Sequence, residues 1–92
     1  MSEPVNIVDV AQGTVFLQMF PDGSNQLGLM YDIGLPDEDD RKFKWICEDG
    51  RKCECYTRQA PDEKVFKLAK INMGTNPLRD LLVWRGNFEW KS

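Results

Sequence analysis

The sequence has no histidine, and only three of its 92 residues are cysteine. Histidine is the most common general base near neutral pH and a frequent metal ligand. The chain also lacks a glycine-rich phosphate-binding loop, and no serine or cysteine has a recognisable base beside it. Because bond chemistry needs activated groups of these kinds, we expect a protein that is not an enzyme and that needs no cofactor.

Long hydrophobic runs are also missing. No apolar stretch approaches the roughly 20 residues that cross a bilayer as a helix. The N-terminal segment MSEPVNIVDV has neither the basic start nor the apolar run of a signal peptide. We therefore expect a cytoplasmic protein without membrane contact, in which an odd cysteine count favours free thiols over a disulfide framework.

Strong positive charge is absent, since 12 basic and 15 acidic residues give a net charge of −3. Binding to duplex DNA through its phosphates requires a strong positive field, so we do not expect duplex DNA as a partner. The hydrophobic fraction of 41% is that of a globular chain, and the length fits one domain over residues 1–92. The net charge, hydrophobic fraction and length do not indicate the oligomeric state.

Short extended runs separated by turn signals fill the first two-thirds of the chain. VNIVDVA is rich in β-branched residues, and TVFLQMF is apolar on both sides of the pleat, which predicts a strand with two covered faces. PDGSN is a turn signal. In the next run, Gly28 indicates a bulge or a close backbone approach. The apolar residues of that run alternate with period two, which predicts one apolar face made of Leu27, Leu29, Tyr31 and Ile33.

The C-terminal third contains the helix signals. APDEKVFKLAK fits either a helix or a strand, whereas NPLRDLLVWRG begins with Asn76 as a helix N-cap and Pro77 at the first helical position. A rival interpretation pairs LLVWR with FEWK as a hairpin. We expect an α+β domain: an antiparallel β-meander of four to five strands with one or two short C-terminal helices packed on one face. The residues predicted to share one side of the helix are Leu78, Leu81, Leu82 and Arg85.

All three cysteines lie in WICEDGRKCECY, where Asp49-Gly50 is a strong hairpin signal. With a two-residue turn, Cys53 and Cys55 share a face and Cys47 lies on the other. With a three-residue loop, all three cysteines share the face of Phe43 and Trp45. In both registers we expect the cysteines to be small buried core residues and not metal ligands, because the cysteine pairs and histidines typical of zinc sites are missing.

A dense acidic run and a group of C-terminal aromatic residues are the candidate protein-binding features. Carboxylates of this kind steer association with a basic partner surface, or they keep a sheet edge solvated. Aromatic residues beside an arginine are common in binding hot spots, although they also serve to close a small core. The predicted partner-binding residues are Asp37, Glu38, Asp39, Asp40, Trp84, Arg85, Phe88 and Trp90.

Basic residues also alternate with aromatic residues around the hairpin. Bases of single-stranded nucleic acid stack on sheet aromatics such as Phe43, Trp45 or Tyr56, while nearby cations follow the backbone. The alternation also fits a core with solvated lysines on its other side. The residues of this alternative nucleic-acid site are Lys42, Lys44, Arg51, Lys52, Tyr56 and Arg58.

These features favour a small binding protein that occupies a surface of a larger host protein or ribonucleoprotein complex. Small acidic single-domain proteins of this build occur among phage and mobile-element inhibitors of host nucleic-acid machinery, including anti-restriction and anti-CRISPR proteins. The expected function is therefore an inhibitor used in host-defence evasion. The alternatives are a single-stranded nucleic-acid-binding module and a structural subunit of an assembly.

Overall fold

The computed structural model describes residues 3–35, 40–59 and 63–87. Over these residues the fold is α+β, with six antiparallel strands in one sheet followed by one α-helix. The strands are β1 (Val5–Asn6), β2 (Thr14–Met19), β3 (Asn25–Ile33), β4 (Lys42–Cys47), β5 (Lys52–Tyr56) and β6 (Lys64–Lys70), and the helix is α1 (Pro77–Asn87).

The strand order in the sheet is β1-β6-β2-β3-β4-β5. Strands β2 to β5 form the expected meander, but β6 returns across the sheet to pair with β2, and β1 pairs with the far side of β6. The sheet therefore has more strands than the predicted four to five. The ambiguous segment before α1 is a strand because β2 offers it a free edge, and this contact is distant in sequence. The run predicted as the first strand divides into β1 and a short 3-10 helix, Ile7–Asp9.

One side of the sheet, which we call the aromatic face, carries Phe16, Phe43 and Trp45. The Phe16 and Trp45 rings meet edge to face with their centroids 6.4 Å apart. Gly28 lies under Phe16, and a Cβ atom at Gly28 would come within 2.7 Å of the ring. The close approach expected at Gly28 is therefore present. The buried members of this cluster are Ile7, Val10, Phe16, Met30, Phe43, Trp45, Cys47 and Val65.

The other side of the sheet, which we call the helix-covered face, carries Leu27, Leu29 and Ile46. These side chains and Val15 pack with Leu81 of α1 in a second buried cluster. As predicted for TVFLQMF, β2 is covered on both sides, because Val15 and Phe16 belong to different clusters.

The predicted single apolar face of β3 is wrong at its end. The pairing of β3 with β4 shifts register between Met30 and Asp32. Because an extra residue in one strand reverses the alternation that follows it, Ile33 turns to the aromatic face opposite Phe43, whereas Tyr31 packs on the helix-covered face.

Helix α1 begins as the sequence predicts. The Asn76 Oδ1 atom accepts a hydrogen bond from the Arg79 backbone N–H at 3.2 Å, which satisfies one of the free donors of the first turn. The rival hairpin for this segment is wrong, since Pro77–Asn87 is helical. Within the residues that the structure describes, no helix is long and apolar enough to cross a membrane.

The side of α1 that meets the sheet contains only part of the set predicted to share one side of the helix. Leu78, Leu81 and Trp84 pack toward the sheet, whereas Leu82 is 41% exposed. A helix can turn either side of LLVW toward the sheet, and burying the large Trp84 ring removes more apolar surface from water than burying Leu82.

Candidate functional site

The most exposed apolar side chains of α1 are neighbours in sequence. Leu82 is 41% exposed and Val83 is 56% exposed. A shallow depression of about 370 Å³ lies on one side of Val83, and another of about 270 Å³ lies on the other. We call Leu82, Val83 and these two depressions the α1 outer surface. The depressions are lined by Asn76, Leu78, Arg79, Leu82 and Val83, and by Ile71, Asn72, Asp80, Val83 and Trp84.

Two of the predicted partner-binding residues lie on α1, beside this surface. Trp84 is half-buried and packs against the cluster of the helix-covered face, as a residue that closes a core does. The Arg85 Nε atom lies 3.3 Å from the Glu48 carboxylate, so this guanidinium ties the end of α1 to the β4–β5 loop. Phe88 and Trp90 lie outside the described residues.

Asp40 is the one member of the acidic run within the described residues, and Asp37, Glu38 and Asp39 lie outside them. Its carboxylate accepts a hydrogen bond from the Arg58 backbone N–H at 2.9 Å. Asp40 therefore joins the start of β4 to the end of β5. The six residues of β4 separate Asp40 from the Glu48–Arg85 pair, and at about 3.3 Å per residue they span roughly 20 Å. Asp40 and Arg85 do not share one compact site.

The register of the β4–β5 hairpin places four of the six residues of the alternative nucleic-acid site on the helix-covered face of the sheet. Lys42 lies opposite Tyr56, and Lys52 lies opposite Ile46, so both lysines share the helix-covered face. Lys44 is two residues from Ile46 and therefore points to the same side. Tyr31 also packs on this face. We call this set the lysine–tyrosine strip: Tyr31, Lys42, Lys44, Lys52 and Tyr56.

One lysine of the strip, Lys42, lies beside a carboxylate and an aromatic ring of the protein. The Lys42 Nζ atom lies 3.6 Å from Glu54 and 5.2 Å from the centre of the Tyr56 ring. Contact with the Tyr56 side chain, together with the Glu54 carboxylate, holds the pKa of Lys42 above its usual value. Burial raises the pKa of Tyr31, and the carboxylates of Asp32 and Glu54 add to this effect. One cation of the strip is thus engaged with the protein itself.

The remaining residues of the alternative site lie apart from the strip. Arg51 is opposite Cys47 and donates a hydrogen bond to the Gln26 side chain at 2.9 Å. Arg58 follows β5, beside Asp40. The aromatic rings of Phe43 and Trp45, expected as stacking platforms, are only 3% and 5% exposed on the opposite face of the sheet. That part of the expectation is wrong, because the core takes both rings.

The cysteines take the three-residue-loop register. The Cys47 backbone N–H donates to the Arg51 carbonyl at 2.9 Å, which leaves Glu48 to Gly50 as the loop, and Gly50 adopts a φ of +90°. All three cysteines are free thiols packed in the cluster of the aromatic face, as this alternative predicts. No group of three or more metal-ligating side chains occurs among the described residues.

The environment of two thiols, those of Cys47 and Cys55, suppresses their ionisation. Burial, followed by the effect of Cys53, raises the pKa of Cys47 to about 11. Burial also raises the pKa of Cys55, and the nearby Glu63 carboxylate adds to the shift. Because Cys55 lies in an edge strand and Glu63 precedes β6, their proximity shows that the sheet curls around the aromatic face.

Sequence reasoning missed Val83 and Tyr31 as surface residues. A signal for Val83 was present, because four consecutive apolar residues in LLVW exceed what one side of a helix can bury. No comparable signal existed for Tyr31, since the bulge in β3 that orients it depends on pairing with β4.

No protein-family model matches this chain, and no curated protein and no solved structure shows significant similarity to it.

Proposed function

We propose that this chain is a small non-enzymatic binding protein that occupies a surface of a larger protein partner, and that it docks through the α1 outer surface. The observation that carries the proposal is the pair of adjacent exposed aliphatic side chains, Leu82 and Val83, with a depression on each side of Val83. Isolated exposed apolar residues are ordinary on protein surfaces. A contiguous apolar patch with clefts suits the insertion of partner side chains.

The surroundings of this patch resemble the rim of a protein interface. Arg79 lines one depression, and Asp80 and Asn72 line the other. Interfaces commonly place such polar groups around an apolar centre, where they form hydrogen bonds to the partner. Beneath the patch, Leu81 is fully buried against the sheet, so α1 presents Leu82 and Val83 from a fixed position. A rigid surface loses little conformational entropy on binding.

The chemistry of the chain supports a role without catalysis. The sequence contains no histidine. Burial raises the pKa of Cys47 to about 11 and also raises the pKa of Cys55, and a protonated thiol is a poor nucleophile near pH 7. A hydrolase or transferase that uses a cysteine nucleophile needs the opposite shift in the pKa of that cysteine.

The test compares proteins retained by tagged wild type, Val83→Glu and Met19→Glu in extract of the source cell. Met19 is 55% exposed in β2, so Met19→Glu matches the charge and exposure of Val83→Glu at a different surface. We expect a defined partner to be retained by wild type and Met19→Glu and lost from Val83→Glu, with circular dichroism unchanged in both variants. Equal retention by all three proteins would contradict docking through α1.

A more specific proposal concerns the identity of the partner. The partner is a host nucleic-acid-handling complex, and the chain is a phage or mobile-element inhibitor of anti-restriction or anti-CRISPR type. Its support is the small size and the net charge of −3, since acidic proteins are attracted to basic nucleic-acid-binding surfaces. The purified chain should then inhibit DNA cleavage by the retained complex at near-equal molar ratio, and Val83→Glu should inhibit it far less. Full cleavage at a large molar excess of wild type would contradict this finer proposal.

A second candidate function, binding of single-stranded nucleic acid, is favoured by the lysine–tyrosine strip. Two of its lysines, Lys44 and Lys52, lie on the same side of the sheet as Tyr31 and Tyr56. Strips of this composition bind bases by stacking and phosphates by charge. If the strip binds, the logarithm of the association constant should fall with the logarithm of salt concentration, and each phosphate contact contributes a slope of about 0.7.

This second candidate is tested with a labelled oligothymidylate and the variants Lys44→Gln and Lys52→Gln. Lys70→Gln, at an exposed position in β6, is the matched control. Each strip variant should reduce the salt slope by about 0.7, and the control should leave it unchanged. The absence of binding at low salt would exclude this function. Concentration-dependent closed oligomers would instead favour the third alternative, a structural subunit of an assembly.

A further inference from the structure

Two of the three thiols meet across the β4–β5 hairpin. The Cys47 and Cys53 Sγ atoms are 4.0 Å apart. Because Cys53 pairs with Trp45 and Cys47 pairs with Arg51, the two cysteines are diagonal neighbours on the aromatic face. Cys55 lies beyond Cys53 on the same strand, opposite Phe43. Side chains at positions i and i+2 of a strand are too far apart for a disulfide, so Cys53 cannot bond to Cys55.

We propose that Cys47 and Cys53 form a reversible dithiol–disulfide pair, a modification site that is converted by a low-molecular-weight disulfide such as oxidised glutathione. The site lies on the opposite side of the sheet from α1, so it does not depend on the proposed docking function.

The reaction proceeds by two thiol–disulfide exchanges. The Cys53 thiolate attacks one sulfur of oxidised glutathione, forming a mixed disulfide and releasing one glutathione thiolate. The Cys47 thiolate then attacks the Cys53 sulfur and expels the second glutathione thiolate. The two protein thiols lose two protons and two electrons, and one molecule of oxidised glutathione becomes two molecules of the reduced form.

The burial of the two residues sets this order. Cys47 is fully buried, whereas Cys53 is partly exposed in the edge strand β5. A bulky oxidant can therefore reach the sulfur of Cys53 and not that of Cys47. Burial holds most of Cys47 in the protonated thiol form near pH 7, so the second exchange uses the small thiolate fraction, which the neighbouring Arg51 guanidinium favours. Cys47 is thus placed to act as the resolving thiol.

The bond should be easy to reduce. Diagonal neighbours in an antiparallel pair are typically about 7–8 Å apart, somewhat beyond the Cα separation that a relaxed disulfide spans, so bond formation must draw the two strands together locally. Disulfides formed under such strain have more oxidising potentials than relaxed structural ones. Oxidation also removes the S–H donor that Cys47 offers to the Gln18 Oε1 atom at 4.0 Å.

The experiment incubates folded wild type, Cys55→Ser and Cys47→Ala with oxidised glutathione, blocks free thiols with N-ethylmaleimide, and maps the tryptic peptides without reduction. Trypsin separates residues 45–51, which contain Cys47, from residues 53–58, which contain Cys53 and Cys55. We expect these two peptides to be joined in wild type and in Cys55→Ser. Titratable thiols should fall from three to one in wild type and from two to none in Cys55→Ser. Dithiothreitol should restore all of them.

Cys47→Ala should accumulate the mixed disulfide at Cys53, because its resolving thiol is absent. Separate peptides in oxidised wild type, or loss of the link in Cys55→Ser, would overturn the proposal. The results for wild type and Cys55→Ser are sufficient to accept or reject the proposal, so the test remains valid if Cys47→Ala fails to fold.

Discussion

The two faces of the sheet differ in how completely the chain covers them. On the aromatic face, side chains from β2 to β6 and the 3-10 helix bury Phe16, Phe43 and Trp45 almost fully. On the helix-covered face, α1 lies over the part of β3 and β4 that carries Leu27, Leu29 and Ile46. The rest of that face carries the lysine–tyrosine strip. Both candidate docking surfaces therefore lie on one side of the molecule, and the thiol pair lies on the other.

This difference indicates that the two faces contribute differently to stability and to the exposed surface. We expect the aromatic face to contribute more stability per residue, because it buries the rings of Phe16, Phe43 and Trp45. The helix-covered face packs against α1, whose outer side carries the exposed Leu82 and Val83. Substitutions on each face test this difference.

The largest effect is expected at Phe16, the fully buried ring at the centre of the aromatic face. Phe16→Ala should lower the free energy of unfolding by about 3–5 kcal/mol, because it removes a large buried side chain and leaves a cavity. Urea denaturation measures this change. Met19→Ala, on the same strand at an exposed position, should change stability by less than about 0.5 kcal/mol. Equal effects of the two substitutions would contradict the burial described.

On the helix-covered face, two adjacent leucines of α1 provide a matched pair. Leu81 is fully buried and Leu82 is 41% exposed. Leu81→Ala should cost about 2–4 kcal/mol of unfolding free energy, whereas Leu82→Ala should cost well under 1 kcal/mol. The same urea titration compares them. The reverse order would mean that α1 turns its other side to the sheet.

A smaller effect is expected where Phe16 covers Gly28. A Cβ atom at Gly28 would lie 2.7 Å from the Phe16 ring, so Gly28→Ala should destabilise the fold by about 1–3 kcal/mol through overpacking. The contact can be isolated by a double-mutant cycle with Phe16→Leu, whose side chain is shorter. In the Phe16→Leu background most of the cost of Gly28→Ala should disappear. An unchanged cost in that background would assign the effect to the backbone instead of the ring.

The smallest effect is a pH dependence of stability that arises from Cys47. Burial raises the pKa of Cys47 from 9.0 to about 11 in the folded chain, so the folded state binds more protons than the unfolded state between these values. Stability from this group is therefore complete below pH 9 and declines as the pH rises toward 11. The difference in unfolding free energy between wild type and Cys47→Ala should shrink over this range. Parallel pH profiles of the two proteins would contradict it.

The parts of the fold with local signals were predictable from the sequence. The turn at residues 21–25 and the N-cap at Asn76 are both present, since each depends on the conformational preferences of a few neighbouring residues. The hairpin at Asp49-Gly50 was predictable in position but not in register. A two-residue turn and a three-residue loop both use glycine at positive φ, so only the packing of Cys53 and Cys55 on the face of Phe43 and Trp45 selects between them.

Much of the candidate site was not predictable. The exposure of Leu82 and Val83 depends on which side of α1 meets the sheet, which the helical spacing of the leucines does not determine. The lysine–tyrosine strip needs the register of β4 with β5 and the bulge in β3. Each of these features depends on contacts between residues far apart in the chain, and no local pattern records them.

The sequence alone shows that no histidine is available as a base or ligand. It also predicts an antiparallel sheet and a capped helix that begins near residue 77. Tertiary structure alone decided that β6 joins β2, that the three thiols share one buried face, and that α1 leaves Leu82 and Val83 exposed. The physical reason is that composition, turns and caps act over a few residues. Strand partners, register and helix orientation are chosen by the combined burial of side chains from the whole domain.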